Sequence, residues 1–174
     1  MGNLSESNEL RVAGIIKESI ADGPGIRYVI FVQGCKHNCE GCHNPQTHSF
    51  AGGSLIDTNT IIKEIKRNPL LDGVTFTGGE PFEQAAVLAD LGQQIRKMGL
   101  NIITYTGYTF EYILEHMKDI EGWGELLNIT DILVDGRFEI EKLNLMLKFR
   151  GSENQRVLDV KKSLEAASPI EIEF

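Results

Sequence analysis

The chain has 174 residues, of which 41% are hydrophobic and 24% charged, a balance that fits one globular domain of ordinary size. No apolar run is long enough to cross a bilayer, and residues 1–9 are polar, with Glu6 and Glu9 where a secretory leader would be basic and then apolar, so a cytoplasmic protein without a membrane partner is expected. A formal net charge of -8 argues against nucleic acid as the main partner, because phosphate binding relies on clustered Lys and Arg.

Residues 1–9 are expected to be a flexible lead into a single domain over 1–174. Leu10–Ile16 reads as a first strand, and Ser19–Gly25 as a turn-rich loop containing Asp22-Gly23-Pro24-Gly25. Arg27–Val32 is nearly all apolar, β-branched or aromatic, the pattern of a strand buried on both faces of a parallel sheet. Directly after it, Gly34–Asn44 holds every cysteine of the chain. The loops at this end of parallel strands converge on one cavity, which is where ligands sit in α/β sheets and barrels.

Past Gly52-Gly53, Asp57 or Thr58 can cap a helix carrying Ile61, Ile62 and Ile65, stopped before Asn68-Pro69. Val74–Thr77 is the next strand, ending in Gly78-Gly79-Glu80-Pro81, and Leu88, Leu91, Ile95 and Met98 mark the following helix. Asn101–Tyr105 is a strand ending in Thr106-Gly107-Tyr108, and Phe110, Ile113, Leu114 and Met117 mark another helix. A looser segment through Trp123 and Leu127 leads into a strand over Asp131–Asp135. Val157–Val160 is a last strand, with a short helix near Lys161–Ala167 and a tail, Ile170–Phe174, that can pair at an edge. Alternating strands and helices imply parallel pairing with right-handed crossovers. Five or six such strands are too few for the eight of a full barrel, which takes about 250 residues. The expected fold is therefore α/β, an open, partial parallel β/α barrel, with the loops after Val32, Thr77 and Val134 facing one site.

Cys35, Cys39 and Cys42 lie too close together to staple a fold as disulfides. Iron-sulfur clusters take thiolate ligands, normally four for a four-iron cluster. With three, one iron stays open to an amino and a carboxylate group from outside. Structural zinc, with one of His37, His43 or His48 completing a Cys₃His set, is the competing reading, although zinc sites usually join two separated ligand pairs. Cys39-Glu40-Gly41-Cys42 alone is a C-x-x-C redox motif, which leaves Cys35 unexplained. His37 and His43 fit either loop packing or a hydrogen bond to a cluster sulfur.

The C-x3-C-x2-C loop after a buried strand, together with Gly78-Gly79-Glu80-Pro81, resembles the radical S-adenosylmethionine family. Asp22-Gly23-Pro24-Gly25-Ile26-Arg27 is similar to a loop of its glycyl-radical activating enzymes. Gly41 stands where many members have an aromatic residue. With Cys42-His43-Asn44, Thr106-Gly107-Tyr108, Leu133–Phe138 and Arg150-Gly151-Ser152-Glu153-Asn154-Gln155, it resembles the branch acting on the anaerobic (class III) ribonucleotide reductase. The likeness runs from Asp22 to Gln155.

This resemblance implies a [4Fe-4S] cluster on Cys35, Cys39 and Cys42, and S-adenosyl-L-methionine held by Gly41, Cys42, His43, Gly78, Gly79 and Glu80. It also implies that Asp135, Gly136 and Arg137 lie near the cofactor's ribose or carboxylate, and that Asp22, Gly23, Pro24, Gly25 and Arg27 meet the partner's glycine loop. The implied reaction is reductive cleavage of the cofactor to methionine and a 5′-deoxyadenosyl radical, which removes hydrogen from a glycine Cα. The implied partners are the large subunit of the anaerobic reductase and an electron donor such as flavodoxin or ferredoxin. No general acid or base is required, in keeping with the absence of a triad, carboxylate pair or P-loop. Another glycyl-radical enzyme, or a free metabolite, is the alternative target. A zinc-binding interaction module is the alternative from a different class.

Overall fold

A computed structural model describes residues 8–174. Of the lead expected over 1–9, residues 1–7 lie outside the described residues; the Asn8 carbonyl accepts the Thr58 N–H, and Glu9 opens the first strand. One seven-stranded sheet runs through the protein in the order β3-β1-β2-β4-β5-β6-β7. Its strands are β1 (Glu9–Ser19), β2 (Arg27–Val32), β3 (Ser54–Asp57), β4 (Gly73–Gly78), β5 (Asn101–Tyr105), β6 (Ile132–Asp135) and β7 (Arg156–Asp159). β2, β4, β5 and β6 pair in parallel, whereas β1, β3 and β7 are antiparallel to their neighbours. The sheet is thus the expected open, parallel-rich one, enlarged by antiparallel strands at both edges.

Those antiparallel strands follow from the lengths and contents of the connections. Residues 20–26 between β1 and β2 are too few for a crossover, which needs a dozen or more, so the chain turns straight back. Residues 136–155 hold no α-helix to carry the chain across the sheet, so β7 returns beside β6. The tail pairs as expected, with Ile172 N–H donating to Val157 O and Asp159 N–H to Ile170 O.

Among the described residues, five α-helices complete the fold: α1 (Thr58–Lys66), α2 (Ala85–Lys97), α3 (Phe110–His116), α4 (Trp123–Ile129) and α5 (Val160–Ala166). Asp57 caps α1 by accepting the Asn59 N–H, and Thr109 caps α3 by accepting the Tyr112 N–H. Alternate strand residues divide between the two faces of the sheet. Ile30, Val74, Phe76, Ile102 and Leu133 join Ile61, Ile65, Leu88, Leu91 and Ile95 in the main core against the helices. Ile103, Val134 and Val157 form a smaller cluster, with Tyr105 and Ile132 packed against it.

Arg27 is wholly buried in this framework. Its guanidinium donates to Thr75 Oγ1 at 2.7 Å, Val74 O at 2.9 Å and Pro24 O at 3.1 Å. Desolvation lowers its pKa to about 10, opposed by the charges of Tyr105, Asp72 and Asp131. Its fork of donors therefore pins the Asp22–Gly25 loop to the starts of β4 and β5. Arg27→Ala should cost about 3 kcal/mol, read as a lower urea midpoint at unchanged slope. Arg27→Lys should not restore it, because an ammonium cannot match a planar fork.

Candidate metal and cofactor site

The cysteine loop is closed at its base. Gly34 N–H donates to Thr47 O at 2.7 Å and Cys35 N–H to His48 O at 3.1 Å, pairing its two ends. The Gln33 amide fills the stem, donating to Gln46 O and Ser49 O at 3.0 and 2.6 Å. Inside, Cys42 N–H donates to Cys39 O at 3.2 Å, and Asn44 N–H to Cys42 Sγ at 3.4 Å. The chain turns through left-handed backbone at Asn38 (φ 51°) and Gly41 (φ 71°).

The three cysteines are free and half-buried, and all line one cavity of about 120 Å³. Gly78, Gly79, Glu80, Tyr105, Gly136 and Gln155 share its wall. A second cavity of about 940 Å³ shares His37, Gly107 and Gly136 with it, and also touches Asp135, Arg137 and Arg156. Its volume falls in the range of about 300–1,000 Å³ usual for small-molecule sites. Burial pushes the Cys35 and Cys39 thiols up; for Cys39 the Phe138 amide and the Arg137 charge pull the other way. Among the described residues, no three of His, Cys, Asp or Glu are arranged to hold a single metal ion. A cluster asks instead for thiols around a shared space, each on its own iron, and the three cysteines fit that requirement.

The glycines after β4 are needed for reasons internal to the protein. Gly78 has φ 92°, and a Cβ there would meet the Phe31 backbone at 2.7 Å. At Gly79 it would meet the Gly34 carbonyl at 2.5 Å. The close approach lets Gly79 N–H donate to Val32 O and Glu80 N–H to Gly34 O, both at 2.8 Å. The chain beyond β4 is thereby sewn to the start of the cysteine loop.

Glu80 is 1% exposed and joins three loops. Its Oε1 accepts Phe82 N–H at 3.0 Å and Thr106 Oγ1–H at 2.8 Å, and its Oε2 accepts Gly107 N–H at 2.8 Å. His37 Nε2, from the cysteine loop, lies 2.7 Å from Oε2. Because a carboxylate only accepts, Nε2 carries the hydrogen. His37 Nδ1 is then buried without a protein partner, as expected of a group that faces a bound molecule or water. His37, which the sequence left between loop packing and a cluster contact, is thus the partner of Glu80.

The other candidate residues fall in three places. Asp135 is buried with its carboxylate occupied: Arg156 Nε donates to Oδ1 at 3.0 Å, and Phe110 N–H to Oδ2 at 2.8 Å. Arg156 also forks onto Glu111, and Arg150 donates to Gln155 O, so these two arginines are tied into the fold rather than solvated. Arg137 is exposed, His43 packs on Phe138 with ring centres 5.0 Å apart, and Gly41 lies under Ile140. The Asp22–Gly25 loop lies against the smaller cluster on the sheet, where Thr75 Oγ1 donates to Asp22 O. Tyr105 lines the cysteine cavity, and burial, with the charge of Asp22 added, pushes its hydroxyl up. Trp123 is core, donating Nε1–H to Phe82 O.

Residues 21–158 match the family model of a 4Fe-4S single cluster domain, a class of protein whose cluster the three thiols of this loop would suit. The chain is 35% identical over 143 residues to the anaerobic ribonucleoside-triphosphate reductase-activating protein of Enterobacteria phage T4, covering 78% of this chain and 85% of the relative. For the protein of that name from Pasteurella multocida (strain Pm70) identity is 33%, with 78% and 89% covered. The pyruvate formate-lyase-activating enzyme of Clostridium pasteurianum is 38% identical over 135 residues, which cover 72% of this chain but only 55% of that enzyme. This chain belongs to the radical S-adenosylmethionine family of anaerobic ribonucleoside-triphosphate reductase-activating proteins.

If Glu80 holds the three loops together, its loss must be felt without any cofactor. Glu80→Ala should destabilise the metal-free protein by about 3 kcal/mol and remove hydrogen-exchange protection at the amides of Phe82 and Gly107. Unchanged exchange would mean that the carboxylate serves only a ligand.

Proposed function

We propose that this chain is a glycyl-radical activating enzyme, using a [4Fe-4S] cluster and S-adenosylmethionine to place a radical on a glycine of the anaerobic ribonucleotide reductase large subunit. The observation that carries this reading is a set of three free thiols around one cavity in a chain with no fourth cysteine. When bound, the cluster and cofactor supply one-electron cleavage of a sulfonium and abstraction of a hydrogen atom.

Cys35, Cys39 and Cys42 would hold the cluster. Gly41, His43, Gly78, Gly79 and Glu80 would form the near side of the cofactor site, the glycines offering backbone and Glu80 fixing the loops that carry it. Asp135, Gly136 and Arg137 would form the far side, on the wall of the larger cavity. The chain's own task is to orient the cofactor and exclude water and stray hydrogen donors. Asp22, Gly23, Pro24 and Gly25 would meet the partner's glycine loop, while buried Arg27 holds that loop in shape. The protein would act as a single cytoplasmic domain, with an electron donor such as flavodoxin or ferredoxin. Among the described residues no helix is long and apolar enough to cross a membrane.

Activation of another glycyl-radical enzyme is the second reading, favoured by the 38% identity to the C. pasteurianum enzyme, although 45% of that enzyme's length has no counterpart in the alignment (100% less the 55% covered).

Anaerobic reconstitution should give a brown protein with iron and sulfide, bleached by dithionite; Cys35→Ala, Cys39→Ala and Cys42→Ala should each abolish this. A colourless protein with stoichiometric zinc would overturn the cluster. Mixed with reductant, S-adenosylmethionine and either reductase or pyruvate formate-lyase, the loaded protein should raise a glycyl radical signal in electron paramagnetic resonance on the reductase. A signal on the lyase alone would transfer the assignment.

A further inference from the structure

Of the motifs Leu133–Phe138 and Arg150–Gln155, only Asp135, Gly136 and Arg137 enter the proposed chemistry, yet the fold makes one object of the two. They are the two legs of the loop between β6 and β7, and they are knotted together by side chains. Gln155 Oε1 accepts Gly151 N–H at 2.9 Å and Ser152 N–H at 3.1 Å, and Gln155 Nε2 donates to Gly136 O at 3.1 Å. Asn154 Nδ2 donates to Arg137 O at 2.7 Å, and buried Ser152 accepts Glu139 N–H on Oγ at 3.2 Å. Farther out, Leu143 and Ser152 bridge in antiparallel fashion, and Glu153 N–H donates to Lys142 O.

The base of this knot rests on the cysteine loop. Phe138 lines the cysteine cavity together with Cys39, and its ring packs on His43. Ile140 fills the space above Gly41, where an added Cβ would sit 2.8 Å from Ile140 Cδ1. Gly151 lies under both rings, with an added Cβ 3.1 Å from Phe138 and 3.3 Å from His43. Gln155 itself borders the cysteine cavity. The tip behaves differently: Leu145 and Met146 are 84% and 90% exposed.

We infer that residues 136–155 form a clasp that holds the cysteine loop in its ligand-binding shape, with Gln155 as its knot and Phe138 and Ile140 as positioning residues. The inference rests on the reading of the three cysteines as cluster ligands. It also accounts for glycine at position 41: Ile140, from a distant part of the chain, supplies the apolar surface beside the third cysteine. Groups that orient metal ligands typically change metal affinity about 10–100-fold when removed.

The test uses Gln155→Ala, Phe138→Ala and Ile140→Gly, with Leu145→Ser at the exposed tip as control. In reconstituted protein, loss of brown absorbance to an excess of iron chelator should be about tenfold faster in the three base variants and unchanged in Leu145→Ser. In the metal-free protein, mass spectrometry should show Cys39 alkylated by iodoacetamide several-fold faster in the same three variants. Circular dichroism and the urea midpoint identify any variant that has lost its fold, and Phe138→Leu should recover part of the effect. If chelator loss and alkylation in folded base variants match the wild type, the clasp is wrong. If the wild type takes up no iron while the variants still expose Cys39, the cluster reading falls and the clasp stands.

Discussion

One buried carboxylate holds the arrangement together. Glu80 accepts from Phe82, Thr106 and Gly107 and meets His37, so the ends of β2, β4 and β5 are tied through a single group. Hydrogen bonds to a charged group contribute about 1.5–3 kcal/mol each, and a carboxylate removed from water requires several of them. The demand is reciprocal: the loops satisfy Glu80, and Glu80 fixes how far apart they lie. Parallel strands place their C-terminal loops at one end of the sheet, but only specific contacts hold three such loops around a cavity of about 120 Å³.

Asp135 does for the far side what Glu80 does for the near side. Its carboxylate pairs with Arg156 and accepts the first amide of α3, joining β6, β7 and the helix after β5. Arg156 is held protonated by the hydrogen bonds it donates to Asp135 and Glu111. Glycines, thiols and aromatic rings share the cavity walls with Glu80, Asp135 and Arg137, but the two buried carboxylates have their oxygens committed to the frame. This division suits chemistry that uses no general acid or base and gains from excluding water.

Much of this was legible in the sequence, for identifiable reasons. The parallel strands announce themselves as apolar runs, Asp57 proves to be the cap of the two candidates Asp57 and Thr58, and the cysteine spacing locates the thiol cavity. β3 is hidden because Ser54–Asp57 is mostly exposed and its pairing depends on register with β1, not on its own pattern. α4 is hidden because Gly122, Gly124 and Asn128 dilute the helical signal, although Trp123, Leu126 and Leu127 are buried at helical spacing. Alternation alone suggests that every strand is parallel; the helix-free connection before β7 breaks that rule. At the site, residue types were readable but their partners were not. The family resemblance places Glu80 and Asp135 at the cofactor, and only long-range geometry reveals that their oxygens are already occupied. The likeness of Arg150–Gln155 to the activator branch is visible in one dimension, but its fit to Gly136 and Arg137 exists only in three.

With Cys35, Cys39 and Cys42 as ligands, one iron of the proposed cluster would remain for the cofactor's amino and carboxylate groups. Electron-nuclear double resonance on the reduced, reconstituted protein tests it directly, using S-adenosylmethionine labelled with ¹⁵N in the amino group and ¹⁷O in the carboxylate. Hyperfine coupling of both labels to the cluster is expected. Coupling of neither, in protein with a full complement of iron and sulfide, would contradict the claim and require another ligand on the fourth iron.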